Sequence, residues 1–259
     1  MLHYIKIGSG PKTMIGFHGF GRDASMFQNY EKVFPEYTIY SISLFYHGSN
    51  WMYQDACLDK KRWKCMFEDF LNAEDISRFS LLGFSLGGKM ALYTFQLFSS
   101  KVDKLHLIAP YGIKANVVEW VTQKLPFVYR RLEKYVYNPA PFMSLLEVLR
   151  RYKLMNKTLL NITIRQMSSQ EARARVFHSM RLYGALSLNL KDIKKELETS
   201  RTHVVFYLGR YDQVLTFEAL SKYTSALMDF SLHILPGGHG RLPDKVAQTF
   251  SRQQNILYS

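Results

Sequence analysis

Three short stretches of the chain hold side chains that could do covalent chemistry. Gly83-Phe84-Ser85-Leu86-Gly87 sets a serine between glycines in the pattern G-x-S-x-G. Pro236-Gly237-Gly238-His239-Gly240 sets a histidine in a glycine-rich turn, and Gly209-Arg210-Tyr211-Asp212-Gln213-Val214 offers a carboxylate. A serine hydroxyl is a poor nucleophile at neutral pH and needs a base. An imidazole can take its proton and later return it to a leaving group, while a carboxylate fixes the imidazole tautomer and stabilises imidazolium. Such chemistry is acyl transfer, and it fades as the imidazole takes up a proton in acid. Two other acids fit less well. Asp103 precedes its strand and would sit at the opposite edge of a sheet, and Asp244 reads as an acid at the start of the last helix.

Acyl transfer also needs preorganised donors for the tetrahedral oxyanion, each contributing about 3 kcal/mol. The backbone N–H of Leu86, at the start of the segment after Ser85, can be one. The second is expected from the early loop His18-Gly19-Phe20-Gly21, as the N–H of Phe20. The His18 side chain is expected to stabilise that loop by hydrogen bonding rather than to catalyse.

These residues are useful only if regular elements hold them. Short apolar runs at residues 3–7, 13–18, 37–45, 79–83, 104–109, 203–209 and 231–236 read as strands. Helical periodicity marks 54–71, 86–98 and about 244–256. Near-continuous apolar strands separated by helices predict an α/β fold with a mostly parallel sheet covered on both faces. Ser85 then falls in a tight turn between a buried strand and a helix, at the carboxyl end of the sheet where open α/β sheets bind ligands. The early loop, Asp212 and His239 each follow a strand as well. From about 111 to 200 the pattern is helical, with no convincing buried strand. The expected organisation is a core of 1–110 and 201–259 interrupted by a helical insertion, 111–200.

HGFG, GFSLGG, GRYDQV and GGHG occur in the order oxyanion loop, nucleophile elbow, acid turn and histidine loop. On these motifs the chain resembles the α/β-hydrolase superfamily of single-domain esterases, lipases and C–C hydrolases. The resemblance covers about 1–110 and 201–259. It implies a triad of Ser85, Asp212 and His239, oxyanion donors at Phe20 and Leu86, and a helical cap inserted after the sixth strand of that fold. Two departures stand out. Many members have Pro-Gly-x-Gly where this chain has Phe45-Tyr46-His47-Gly48-Ser49, and a proline where it has Thr216. Neither position is expected to touch the chemistry.

Composition sets the outer bounds. The chain has 259 residues, 47% hydrophobic and 21% charged, enough for a sizeable core. No apolar run reaches a membrane span, and the N-terminus lacks the basic start and apolar core of a signal peptide, so a cytoplasmic protein is expected. Cys57 and Cys65 sit about two turns apart in one expected helix, which argues against a mutual disulfide. No Cys/His spacing suggests zinc, so neither metal nor cofactor is expected.

The net charge of +13 favours anionic partners. No helix-turn-helix, zinc-finger or RNA-binding signature accompanies it, so specific nucleic-acid binding is not expected. Basic residues recur in the insertion as Arg130-Arg131, Arg150-Arg151, Arg173 and Arg175. Aromatics do so as Trp120, Phe127, Tyr129, Tyr135, Tyr137, Phe142, Tyr152 and Phe177. A solvated basic face is one reading. An acidic acyl carrier, coenzyme A phosphates or an anionic membrane surface is the other. Capped esterases acting on a carrier-linked pimeloyl methyl ester are similar in layout. The expected substrate is a small-molecule carboxylic ester or thioester. A C–C bond hydrolase on the same triad and a non-catalytic ligand-binding protein are the alternatives.

Overall fold

The computed structural model describes residues 2–48, 50, 58–113, 133–154, 157–225, 227 and 229–257; within helices, the side chains of 157–159, 162 and 252–257 are not described. Trp120, Phe127, Tyr129, Arg130, Arg131 and Cys57 lie outside the described residues. The described chain divides into two compact units. One comprises Met1–Met52, Lys60–Lys114 and Leu188–Ser259, the other Tyr53–Asp59 and Ala115–Ser187.

The first unit is built on seven strands: β1 (Tyr4–Ile7), β2 (Lys12–Phe17), β3 (Tyr37–Ile42), β4 (Phe79–Phe84), β5 (Val102–Ile108), β6 (His203–Gly209) and β7 (Phe230–Leu235). Their order in the sheet is β1-β3-β2-β4-β5-β6-β7. β1 runs antiparallel to β3 and every other pair is parallel. β4 is buried along its whole length, which is why it reads as an unbroken apolar run rather than an alternation.

Helices of this unit are α1 (Lys60–Ala73) and α2 (Leu86–Phe98), then, after the second unit, α7 (Leu190–Ser200), α8 (Phe217–Thr224) and α9 (Leu242–Leu257). A 3-10 helix at Ala24–Lys32 packs Phe27 and Tyr30 into the core, and Tyr30 Oη donates to the Pro243 carbonyl at the start of α9. α1 begins at Lys60, with Leu58 and Asp59 outside it, and residues 54–57 of the expected helix lie outside the described residues. β3 stops at Ile42, short of the apolar run that continues to Phe45. Ser43 N–H turns to the His3 carbonyl at 2.8 Å and Leu44 N–H to the His18 ring, so buried loop residues prolong the apolar lettering.

The second unit holds α3 (Lys134–Tyr137), α4 (Ala140–Arg151), α5 (Lys157–Gln166) and α6 (Gln170–Gly184). Val136 and Phe177 form a small buried cluster in it. Arg173 is committed to this packing. Its Nε donates to the Val136 carbonyl at 2.8 Å and its Nη1 to the Met167 carbonyl at 3.0 Å. Among the described residues no helix is long and apolar enough to cross a membrane.

Candidate active site

β4 runs directly into α2, and the residue between them is Ser85. Its backbone sits at φ 51°, ψ −113°, a conformation that L-residues avoid. Three neighbours hold it there. Ser85 N–H donates to the Ile108 carbonyl at the end of β5, and the Ser85 carbonyl accepts from Tyr111 N–H at 2.9 Å and Lys89 N–H at 3.2 Å. The strain is over-determined by hydrogen bonds on both sides.

The flanking glycines are explained by close approach. A Cβ on Gly87 would fall 1.8 Å from the Phe17 carbonyl oxygen and 2.5 Å from that of His18; one on Gly83 would meet the Gly87 backbone at 2.5 Å. A Cβ on Gly19 would lie 2.6 Å from the Phe84 ring. The loop after β2 and the start of α2 are therefore packed backbone to backbone. That contact sets Phe17, His18 and Gly19 against Phe84 and Gly87, which flank Ser85 and Leu86.

The three sequence-predicted polar side chains meet. Ser85 Oγ lies 2.9 Å from His239 Nε2, and His239 Nδ1 lies 2.7 Å from Asp212 Oδ2. The Asp212 side chain is fully buried. Its other oxygen, Oδ1, accepts from the N–H groups of Val214 (2.8 Å) and Leu215 (3.0 Å). Asp212 thus closes an Asx-type turn with one oxygen and holds the imidazole with the other. Nδ1–H donates to Asp212, which leaves Nε2 to accept the serine proton. Asp103 instead pairs with Arg78 at 2.6 Å on the surface, and Asp244 lies in the first turn of α9.

His18 takes the structural role expected of it. Its Nδ1 donates to the Gly19 carbonyl at 2.8 Å and its Nε2 accepts Leu44 N–H at 3.0 Å. Burial lowers its pKa to about 4, so the ring is neutral and both bonds persist.

Three residues near the site were not anticipated. The His47 ring stands edge-on to Phe20 at 5.2 Å and to His18 at 5.3 Å, and its Nδ1 donates to the Phe45 carbonyl. The departure at Tyr46-His47-Gly48 therefore packs against the loop that carries Phe20. Arg22 Nη2 donates to the Gly240 carbonyl at 3.3 Å and ties the same loop to the His239 turn. The Phe84 ring lies 5.1 Å from that of His239. No sequence spacing links these positions; only the fold brings them together. At the second departure, Thr216 caps α8 by accepting from Ala219 N–H. Among the described residues no group of three His, Cys, Asp or Glu is placed to hold a metal ion, and Cys65 is a free, exposed thiol.

The profile of the alpha/beta hydrolase fold family matches residues 12–245, and the chain belongs to that family. The class that fold and site define is a hydrolase. No curated protein matches the chain. Solved structures that resemble it include a thermophilic esterase from Thermogutta terrifontis (16% identity, TM-score 0.69, 100% of this chain and 94% of that one). Another is the alpha/beta hydrolase enzyme MGS-M2 from a Medee basin deep-sea metagenome library (11%, 0.68, 100% and 94%). A third is a meta-cleavage product hydrolase from Pseudomonas fluorescens IP01 (18%, 0.61, 99% and 94%).

Proposed function

We propose that the chain is a serine hydrolase that cleaves a carboxylic ester or thioester through an acyl-enzyme. The observation that carries this reading is the hydrogen-bonded relay from Ser85 Oγ through His239 to Asp212. His239 Nε2 takes the Ser85 proton as Oγ attacks the substrate carbonyl carbon. The N–H groups of Phe20 and Leu86 receive the oxyanion, and the Asp212 carboxylate stabilises the imidazolium. Imidazolium then returns the proton to the departing alcohol or thiol, leaving Ser85 acylated. A water molecule, deprotonated by the same imidazole, attacks the acyl carbon and releases the carboxylic acid and free serine. The helical insertion, divided from the core by sequence at 111–200, is assigned the choice of acyl group.

A second reading, C–C bond hydrolysis on the same three side chains, is favoured by the likeness to the meta-cleavage product hydrolase. Turnover of p-nitrophenyl acyl esters of increasing length, for wild type beside Ser85→Ala, tests the first reading. Wild type should turn over and the variant should lose at least about 10⁴-fold in kcat. Absence of turnover with every ester, together with cleavage of a dienone substrate, would transfer the assignment to C–C chemistry.

A further inference from the structure

Helix α4 (Ala140–Arg151) buries Leu146 and turns a different set of apolar side chains to water. Leu145, Val148 and Tyr152, at 51%, 47% and 65% exposure, recur at spacings of three and four and so share one face. Leu154, just past the helix, is 70% exposed. Single exposed apolar residues are ordinary, but a continuous stripe marks an interaction surface.

The end of the helix adds an independent oddity. Lys153 N–H donates to the Arg150 carbonyl at 3.2 Å and Leu154 N–H to the Leu149 carbonyl at 3.0 Å, the paired closure that usually has glycine at the turning position. Here the turning residue is Lys153, at φ 53°, where a side chain is strained. In this closure the following apolar residue commonly folds back on the helix. Leu154 instead stays in water. The turn therefore carries an exposed cation in a strained conformation beside an exposed leucine. Arg151 and Lys153 flank the stripe, and the helix's carboxylate, Glu147, is already paired with Arg150 at 3.1 Å.

We infer that the outer face of α4 and its C-terminal turn dock on an anionic lipid surface. Leu145, Val148, Tyr152 and Leu154 enter the headgroup region, and Arg151 and Lys153 meet acidic headgroups. Apolar residues, a tyrosine and cations on one exposed face are the composition of a helix that lies in a membrane interface. The chain's net charge of +13 draws it to such a surface. A second copy is a poorer occupant, because this face offers no carboxylate of its own to meet Arg151 and Lys153, Glu147 being held by Arg150.

Cosedimentation of the full chain with phosphatidylcholine vesicles, with and without phosphatidylglycerol, tests the inference. Wild type should partition to the mixed vesicles. The triple variant Leu145→Ser, Val148→Ser, Leu154→Ser leaves the charge unchanged and alters only exposed positions. It should keep its Tm and partition about tenfold less or weaker still. Lys153→Gly relieves the backbone, so it should lose no Tm while binding falls about fivefold. Three outcomes would overturn the inference: no binding of wild type to the mixed vesicles, equal binding of the triple variant (adsorption of a basic chain by charge alone), or a dimer in sedimentation that the triple variant dissolves.

Discussion

Asp212 gives its two carboxylate oxygens different tasks, and a substitution can separate them. Asn at 212 keeps an oxygen for the Val214 and Leu215 N–H groups, so the turn should survive. Its amide in place of Oδ2 presents a donor to His239 Nδ1 and forces the wrong imidazole tautomer. Asp212→Asn should therefore lower kcat on an ester substrate by about 10⁴-fold with little change in Tm. A loss of Tm matching the loss of activity would mean that the carboxylate mainly holds the fold. At this scale much of the site was legible. Ser85, Asp212 and His239 stood in short glycine-rich turns after apolar runs, and the fold places them within hydrogen-bonding reach of one another. His47, Arg22 and Phe84 were not legible, because what matters about them is a ring or a guanidinium reaching a loop that is distant in sequence.

Elements meet here through glycine. The approach of α2 to β2 leaves no room for a Cβ at Gly87, and the obstructing atoms are backbone carbonyls that cannot rotate away. Gly87→Ala should cost about 3 kcal/mol in denaturant unfolding and depress activity with it, since relief requires moving either the loop bearing Phe20 or the start of α2. A variant of wild-type stability would contradict that packing. Periodicity recovered the strands and the bounds of α2, which is apolar along nearly its whole length. It did not find α8, whose eight residues span too few turns to show a period. It also overran β3, because apolar residues buried in a loop carry the same letters as a strand.

Across the whole sheet, one face carries a row of rings that sequence spacing did not reveal. His106 on β5 lies parallel to Tyr207 on β6, which lies parallel to His233 on β7, with centroids 6.1 Å and 5.4 Å apart; Phe250 of α9 stands edge-on to the last two. His106 shares a hydrogen bond with Tyr207 Oη at 3.1 Å, and its Nε2 has no partner. Burial, aided by the nearby Lys104, His203 and His233, lowers its pKa to about 3. His18 is lowered to about 4, and His233 is lowered by burial too. Each folded value lies below that of an unfolded histidine, so the unfolded chain takes up protons first. The stability these rings contribute is complete above about pH 6.5 and is lost as the pH falls toward 3, by an amount on the order of a few kcal/mol. Melting curves should show Tm falling between pH 7 and pH 4, and His106→Phe should flatten that slope. An unchanged slope would remove His106 from the account.

Gly112 and Leu188 are separated by most of the helical insertion, yet a Cβ on Gly112 would touch Leu188 Cδ1 at 2.9 Å. The two ends of the insertion therefore lie side by side within the first unit, as a narrow neck. From the neck α7 leads back to β6, which pairs with β5 as though nothing intervened. Closing a longer excursion through such a neck costs little, about 0.6 kcal/mol for each doubling of its length. Heredity can therefore lengthen, trim or exchange this stretch at little cost to the pairing of β5 with β6.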